Sequence, residues 1–277
     1  GSFSWTGPNN FTSQDQNPTV NAAGTYTLTV TGSNGCTSQA NAVVGLDDEA
    51  PGAQANGGTL TCNTTSVQLS GSGNGSFSWT GPNNFTSQDQ NPTVNAAGTY
   101  ILTVTGSNGC TSQANAVVGQ DDELPGAQAQ GGTLTCTNTT VMLIGSGNGT
   151  FSWSGPGFSS ILQNPTVNTA GTYILTVTGS NGCTSQANAI VDEDAQLPGA
   201  QASGGTITCE NSSVILMGSG NGTYSWSGPN NFTSQAQNVA VTEAGTYTLT
   251  VLGANGCTST ATATVDQDVE IPAVDAF

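Results

Sequence analysis

Apolar and polar positions alternate in the stretch Gly98-Thr99-Tyr100-Ile101-Leu102-Thr103-Val104-Thr105-Gly106-Ser107-Asn108-Gly109-Cys110, where Tyr100, Leu102 and Val104 are interleaved with Thr99, Thr103 and Thr105. A period of two places one set of side chains on one face of a strand, so this segment predicts a strand with a buried face. Copies of it begin at Gly24, Gly98, Gly171 and Gly245. The Asn-Gly pair that follows predicts a type I′ hairpin turn, because that turn needs two residues tolerating positive φ, and the cysteine then opens the next strand. In 50–123 the same reading gives strands at Gly58–Cys62 and at Ser66–Ser70, the latter with Val67 and Leu69 inward. A glycine-rich turn at 71–75 leads to a strand at Ser76–Thr80 with Phe77 and Trp79 on one face. A polar loop around Phe85 leads to Pro92-Thr93-Val94 and the Tyr100 strand. After Cys110 a last strand carries Ala114, Ala116 and Val118, or their alternates, inward. No segment holds a 3.6-residue period. The fold class expected is all-β, a tandem of small antiparallel β-sandwiches with six or seven short strands each.

Pro51, Pro125, Pro198 and Pro272 recur every 73 or 74 residues and mark the boundaries. Residues 1–49 are then the back part of one repeat, 50–123, 124–196 and 197–270 are complete repeats, and 271–277 begin another. Residues 1–49 match 75–123 except at Thr27/Ile101 and Leu46/Gln120. An apolar pattern complete within each long period implies separate beads more than a thin solenoid. The sequence begins in mid-repeat without an initiator Met, and reads as a window onto a longer secreted protein.

The ordered succession Thr-Leu-Thr-Cys, Val-x-Leu-x-Gly-Ser, Phe-Ser-Trp-Thr-Gly-Pro, Asn-Pro-Thr-Val, Gly-Thr-Tyr-x-Leu-Thr-Val-Thr and Asn-Gly-Cys-Thr resembles the tandem PKD-like, immunoglobulin-like repeats of large bacterial cell-surface adhesins of the gliding-motility type. The resemblance covers the whole chain. It implies an extracellular β-sandwich array used for adhesion or as a stalk.

The 277 residues include no Lys, Arg or His against 17 acids, a formal charge of −17. Nucleic-acid and anionic-membrane binding depend on cationic side chains and are close to excluded. Without imidazole or amine, most general-base, Schiff-base and triad chemistry is absent as well, and the acids gather at the repeat boundaries instead of in a predicted cleft, so no enzyme is expected. No window is long and apolar enough to insert in a membrane.

Seven cysteines, at 36, 62, 110, 136, 183, 209 and 257, alternate spacings of 26 and of 47 or 48. In so uncharged a chain, without CxxC pairs or histidine, they read as a disulfide framework from an oxidising compartment. Two pairings fit the spacing: Cys62–Cys110, Cys136–Cys183 and Cys209–Cys257 within repeats, or Cys36–Cys62, Cys110–Cys136 and Cys183–Cys209 across the junctions. The first is preferred because each bridge encloses one core, with the partner of Cys36 outside the sequence. A bead of this size buries only about 60% of its unfolded surface. Closing a loop of nearly fifty residues adds roughly 4 kcal/mol on the chain-entropy model.

Twelve acids sit at the junctions: Asp47, Asp48, Glu49, Asp121, Asp122, Glu123, Asp192, Glu193, Asp194, Asp266, Asp268 and Glu270. Oxygen-only clusters are what calcium needs, and the alternative is a solvated, self-repelling linker. Trp5, Trp79, Trp153 and Trp226 are expected in the core beside the disulfide, while Phe11, Phe85, Phe158 and Phe232 are candidates for ligand contact if exposed. Gln68 and Ser70 become Met142 and Ile144 in repeat three and Ile215 and Met217 in repeat four, and Gln88 and Asp89 become Ile161 and Leu162. Apolar residues at outward positions suggest a lateral contact with a neighbouring repeat or strand of a filament. Asn-x-Ser/Thr sequons at Asn63, Asn84, Asn138, Asn148, Asn211, Asn221 and Asn231 are mostly compositional. The function expected is an extracellular structural and adhesive repeat protein that self-associates into a stalk or filament, the alternative being a multivalent module array for a surface glycan or protein.

Overall fold

The computed structural model describes residues 1–270; the expected start of a further repeat at 271–277 lies outside them. The chain divides into two compact units, Gly1–Asp122 and Glu123–Phe277. All regular elements among the described residues are strands and three short 3-10 turns. No helix among the described residues is long and apolar enough to cross a membrane.

In the first unit, residues 54–121 form an immunoglobulin-like β-sandwich. One layer is a five-stranded sheet in the order Phe85–Ser87, Ser76–Gly81, Gly98–Thr105, Thr111–Asp121, Gly58–Thr61. Its neighbours are antiparallel except the last pair, where Gly58–Thr61 runs parallel to Val118–Asp121. The facing layer is built from short pairs, Gln54–Asn56 with Ser70–Ser72 and Val67–Gln68 with Thr93–Val94. Between them lie Leu60, Leu69, Trp79, Val94, Tyr100, Leu102, Val104, Ala116 and Val118, all buried. The inward set inferred from the alternation therefore holds, with Ala116 and Val118 the deepest of the last strand. Residues 2–44 form only the sheet Phe11–Ser13, Ser2–Gly7, Gly24–Thr31, Thr37–Val44. Thr37–Val44 stops where Thr111–Asp121 continues, since the continuation in the complete repeat is supported by its parallel neighbour Gly58–Thr61.

The second unit holds two further sandwiches of the same plan, with five-stranded sheets over 132–194 and 205–268. Their cores centre on Trp153 and Trp226. In repeats two and three a proline replaces a ladder donor: Leu69 N donates to Pro92 O and Leu143 N to Pro165 O, and the second-layer strand is interrupted there. Repeat four has Val239 in place of that proline, so an N–H is restored and Val214–Ser219 runs unbroken beside Asn238–Val241.

Three local expectations are corrected. The glycine-rich segment 71–75 is not wholly a turn, because Gly71 and Ser72 belong to a strand. The loop around Phe85 contains a hairpin instead of irregular chain: Phe85–Ser87 pairs with Trp79–Gly81. Its turn residues Asn83 and Asn84 have φ of 57° and 59°, the positive pair that a type I′ turn requires. The Asn-Gly pair before Cys110 is not a type I′ turn. There only Gly109 is left-handed, at φ 82°, and Gly109 N closes onto Gly106 O in a three-residue loop. That geometry frees the Asn108 side chain for other work.

Candidate functional site at the repeat junctions

The parallel pairing fixes where the cysteines lie. In repeat three, Thr135 is opposite Asp194, so Cys136 leaves its strand at the end of the sheet where Thr184–Asp194 finishes. Cys183 precedes Thr184, at the opposite end of that strand. The two are about a dozen residues apart along one strand direction, roughly 35–40 Å at ~3.3 Å per residue. A disulfide needs Cα atoms within about 7 Å, so a bridge inside one repeat is ruled out by topology. The structure instead joins Cys136 to Cys257 of the following repeat, with Cα atoms 5.0 Å apart and 121 residues between them in sequence. Cys62 and Cys183 each take part in a disulfide, whereas Cys36, Cys110 and Cys209 carry free thiols.

These states overturn the within-repeat pairing Cys62–Cys110, Cys136–Cys183, Cys209–Cys257, and they overturn the alternative across the acidic junctions as well, because each of its pairs contains one of the free thiols Cys36, Cys110 and Cys209. The bridge from Cys136 straddles Pro198, yet each bead closes its core without it, because the buried clusters are complete with no cysteine in them. Trp79, Trp153 and Trp226 occupy the core as expected, but not beside a within-repeat bridge, and Trp5 in the partial repeat is only half-buried.

A second connection lies beside the first. Asn255 Oδ1 accepts from Cys257 N at 3.1 Å, and its Nδ2 donates to Asp194 Oδ1 at 2.8 Å and to Gln196 O at 2.9 Å. In the first unit Asn108 does the same, with Nδ2 on Asp47 Oδ1 and Glu49 O, each at 3.0 Å, and Oδ1 on Cys110 N. Asn181 Nδ2 donates to Glu123 O at 2.9 Å. Asn108, Asn181 and Asn255 thus tie down the acidic segment that leads into their own repeats. Asp268 ends a strand, paired to Thr208, so the junction acids are partly sheet and not free linker. Among the described residues no three His, Cys, Asp or Glu side chains converge to hold a metal ion. Asp47 and Asp194 are hydrogen-bond acceptors in this clasp, and Asp48, Glu49, Asp122, Asp192, Glu193, Asp266 and Glu270 are exposed.

The aromatic positions resolve differently from each other. Tyr100, Tyr173 and Tyr247 donate to the carbonyl four residues upstream at 2.8–2.9 Å, locking the entry to their strands in the manner of a tyrosine corner. Tyr26 does so in the partial repeat. Phe11, Phe85, Phe158 and Phe232 pack edge-on against these tyrosines at 5.3–5.7 Å between ring centres. They are half-buried partners of the corner, so the exposure that ligand contact called for is only partial. Beside two of them are shallow depressions of about 390 Å³, at Ser66, Asn83, Phe85, Thr93 and Asn95, and about 280 Å³, at Thr140, Phe158, Thr166 and Asn168. Their linings are neutral.

Met142, Ile144, Ile161, Leu162, Ile215 and Met217 are all exposed, Ile161 by 83%. The bond network around Trp79, Trp153 and Trp226 lies outside what the alternation of apolar and polar positions predicts. Trp79 Nε1 donates to Gln90 O, Gln90 Nε2 to Gly71 O, and Gly71 N to Asn91 Oδ1. The recurring Gln-Asn pair before Pro92 and Pro165 was the available signal. Trp5, whose repeat has no strand equivalent to Ser70–Ser72, keeps a buried Nε1 without a partner.

No protein-family profile matches the sequence, and no curated protein matches it. Solved structures similar to it include a Ca2+-stabilised adhesin with which an Antarctic bacterium reaches out and binds ice, at 14% identity over 96% of this chain and 90% of that one, TM-score 0.48. A 1.5-MDa bacterial ice-binding adhesin is similar at 13% identity over 81% of this chain and all of that one, TM-score 0.49. The I9–I11 tandem of titin is similar at 12% identity over 78% of this chain and all of that one, TM-score 0.32.

Proposed function

We propose that the protein is an extracellular, non-enzymatic structural array, a stalk or filament component of a cell surface whose repeats are 1–49, 50–123, 124–196 and 197–270. The observation that carries this reading is the Cys136–Cys257 bridge. A bond between beads, next to the Asn255 clasp, adds nothing to a core that is already closed; what it adds is resistance to pivoting and separation. Such bonds persist in an oxidising compartment. Exposed apolar residues recurring at equivalent positions of repeats three and four suit a partner with the same period, a second copy lying alongside. Electron microscopy of the native material is the test. Ordered threads or multi-strand fibres are the expected result, and single dispersed chains that remain dispersed in the Met142→Ser, Ile144→Ser variant and the parent alike would remove the filament.

The second reading, a module array for a neutral glycan, rests on the depressions beside Phe85 and Phe158, with avidity from their repetition. Glycan-array binding lost in Asn95→Ala and Asn168→Ala variants would favour it.

A further inference from the structure

The Asn-x-Ser/Thr triplets are alike in sequence, but the fold puts them in different settings. Asn63, Asn138 and Asn211 lie one or two residues past a cysteine, in a tight turn. Asn138 N donates to Thr135 Oγ1 and Thr135 N to Asn138 O, Asn211 and Thr208 are tied the same way, and Asn63 N donates to Thr61 Oγ1. Asn74, Asn148 and Asn221 stand between glycines, with their N–H groups on Pro51 O, Pro125 O and Pro198 O. The hydroxyls that complete these triplets, on Ser76, Thr150 and Thr223, donate to Thr105 O, Thr178 O and Leu252 O at 3.4–3.5 Å.

Asn10, Asn84 and Asn231 differ from both groups. Each is the second left-handed residue of a hairpin turn, at φ 59° or 60°, and each is exposed, as is the threonine of its triplet, Thr12, Thr86 or Thr233. Among the described residues none of these six side chains has a hydrogen-bond partner. A triplet at a protruding tip can enter the active site of a second protein with its strand ladder intact, whereas the other two settings must first give up turn bonds. Glycine is the residue a type I′ turn takes most readily at that position, yet these hairpins keep asparagine there. Repeat three has a shorter turn, Pro156-Gly157-Phe158, with Gly157 at φ 61° and no acceptor. The same repeat is the one whose next residues are apolar: Ile161 and Leu162, exposed by 83% and 64%, stand where the others have Gln14 and Asp15, Gln88 and Asp89, or Gln235 and Ala236. The second strand of this hairpin is the edge of its sheet in every repeat, and in a chain without Lys that edge lacks a common charged guard.

We propose that Asn10, Asn84 and Asn231 carry N-linked glycans over these sheet edges, and that the hairpin of repeat three carries none. In the transfer, asparagine Nδ2 attacks the anomeric carbon of a polyprenyl diphosphate-linked sugar. The carbon–nitrogen bond forms, the bond from that carbon to the diphosphate oxygen breaks, the diphosphate leaves with the electron pair, and the amide proton passes to a base of the transferase. The neutral depression that opens beside Pro82, Asn83 and Phe85 gives the first sugar an uncharged floor. The donor class rests on the extracellular reading above, whereas the attachment sites rest on the hairpins alone.

The test is mass spectrometry of the chain isolated from its native surface. The chain is cut with Asp- and Glu-specific proteases, since it offers trypsin no Lys or Arg, and fragmented by electron transfer so that sugars stay on their residues. The expected result is a glycan on Asn84 and Asn231 in most copies, occupancy several-fold lower or nil at Asn63, Asn138 and Asn211, and no sugar on 156–160. In variants returned to the same host, Asn84→Gln and Thr86→Val should each leave position 84 bare and Asn231 loaded, and Thr86→Ser should keep both loaded. Bare Asn84 and Asn231 in the native chain would overturn the proposal and leave the structural array standing. Equal loading of Asn138 would mean that the triplet alone directs transfer, and sugar remaining on Thr86 in Asn84→Gln would make the linkage O-linked; either result overturns it as well.

Discussion

The side-chain amide of Asn255 donates to the carboxylate of Asp194 at 2.8 Å, across 61 residues of sequence. The two residues flank the Cys136–Cys257 bridge, so this contact and the bridge constrain the same joint. Replacing Asn255 with Ala removes both the donor to Asp194 and the acceptor for Cys257 N, an exposed pair of bonds together amounting to about 1 kcal/mol. Amide exchange in 194–197 should rise about five-fold. Asn255→Asp should do more harm at low salt, because it places a carboxylate beside Asp194, and the excess over Asn255→Ala should vanish near 1 M salt, where the Debye length is about 3 Å.

Trp226 is fully buried, its Nε1 on Gln237 O and its ring in the same core cluster as Leu249 and Val251. Trp226→Ala should cost about 3–5 kcal/mol, a large share of a seventy-residue bead's total stability. Because the core cluster of repeat three is separate, exchange protection should be lost over 205–268 and retained over 132–191. Loss across both would mean that the beads do not fold singly.

Much of this was legible in the alternation. Val67, Leu69, Trp79, Tyr100, Leu102 and Val104 were placed inward by a period of two, and each is buried or half-buried against the core. The disulfide was not legible, because cysteine spacing carries no direction. What decides the pairing is the parallel neighbour Gly58–Thr61, which puts first and second cysteines at opposite ends of the sheet, and parallel pairing leaves no local sequence mark. The acids were seen as a cluster, but their role depended on the Asn-Gly loop. With Asn108 outside the left-handed region, its side chain turns toward the junction, which a type I′ reading could not foresee.

Tyr247 titrates above the ordinary phenol value, first because burial disfavours the phenolate and second because Glu243 repels it. A folded-state value raised above the unfolded one means stability that is complete below the unfolded value near 10 and is lost as pH climbs beyond it. Repeat four should therefore show alkaline destabilisation, and Tyr247→Phe should lessen that dependence while forfeiting the bond to Glu243 O at neutral pH. Thermal melts between pH 8 and pH 11 decide it.

With 17 acids and no side-chain cation, the compact state is opposed by self-repulsion. Sodium chloride should raise the melting temperature, with most of the gain reached by about 0.15 M, where screening acts over about 8 Å. Since no three acids converge among the described residues, calcium at matched ionic strength should give the same curve. A shift specific to calcium and reversed by chelator would place a cation at the junctions.

Under load the Cys136–Cys257 bridge should hide chain. The 121 residues it spans would contribute about 40 nm of contour length if both beads unfolded with the bond cut, at ~3.3–3.6 Å per residue. Pulled from its ends while oxidised, the protein should release none of that length. After reduction the two unfolding steps of repeats three and four should appear, while circular dichroism stays unchanged because neither core contains the bridge. If reduction instead melted the beads at room temperature, the bond would be a staple of the fold and the mechanical role assigned to it would be lost.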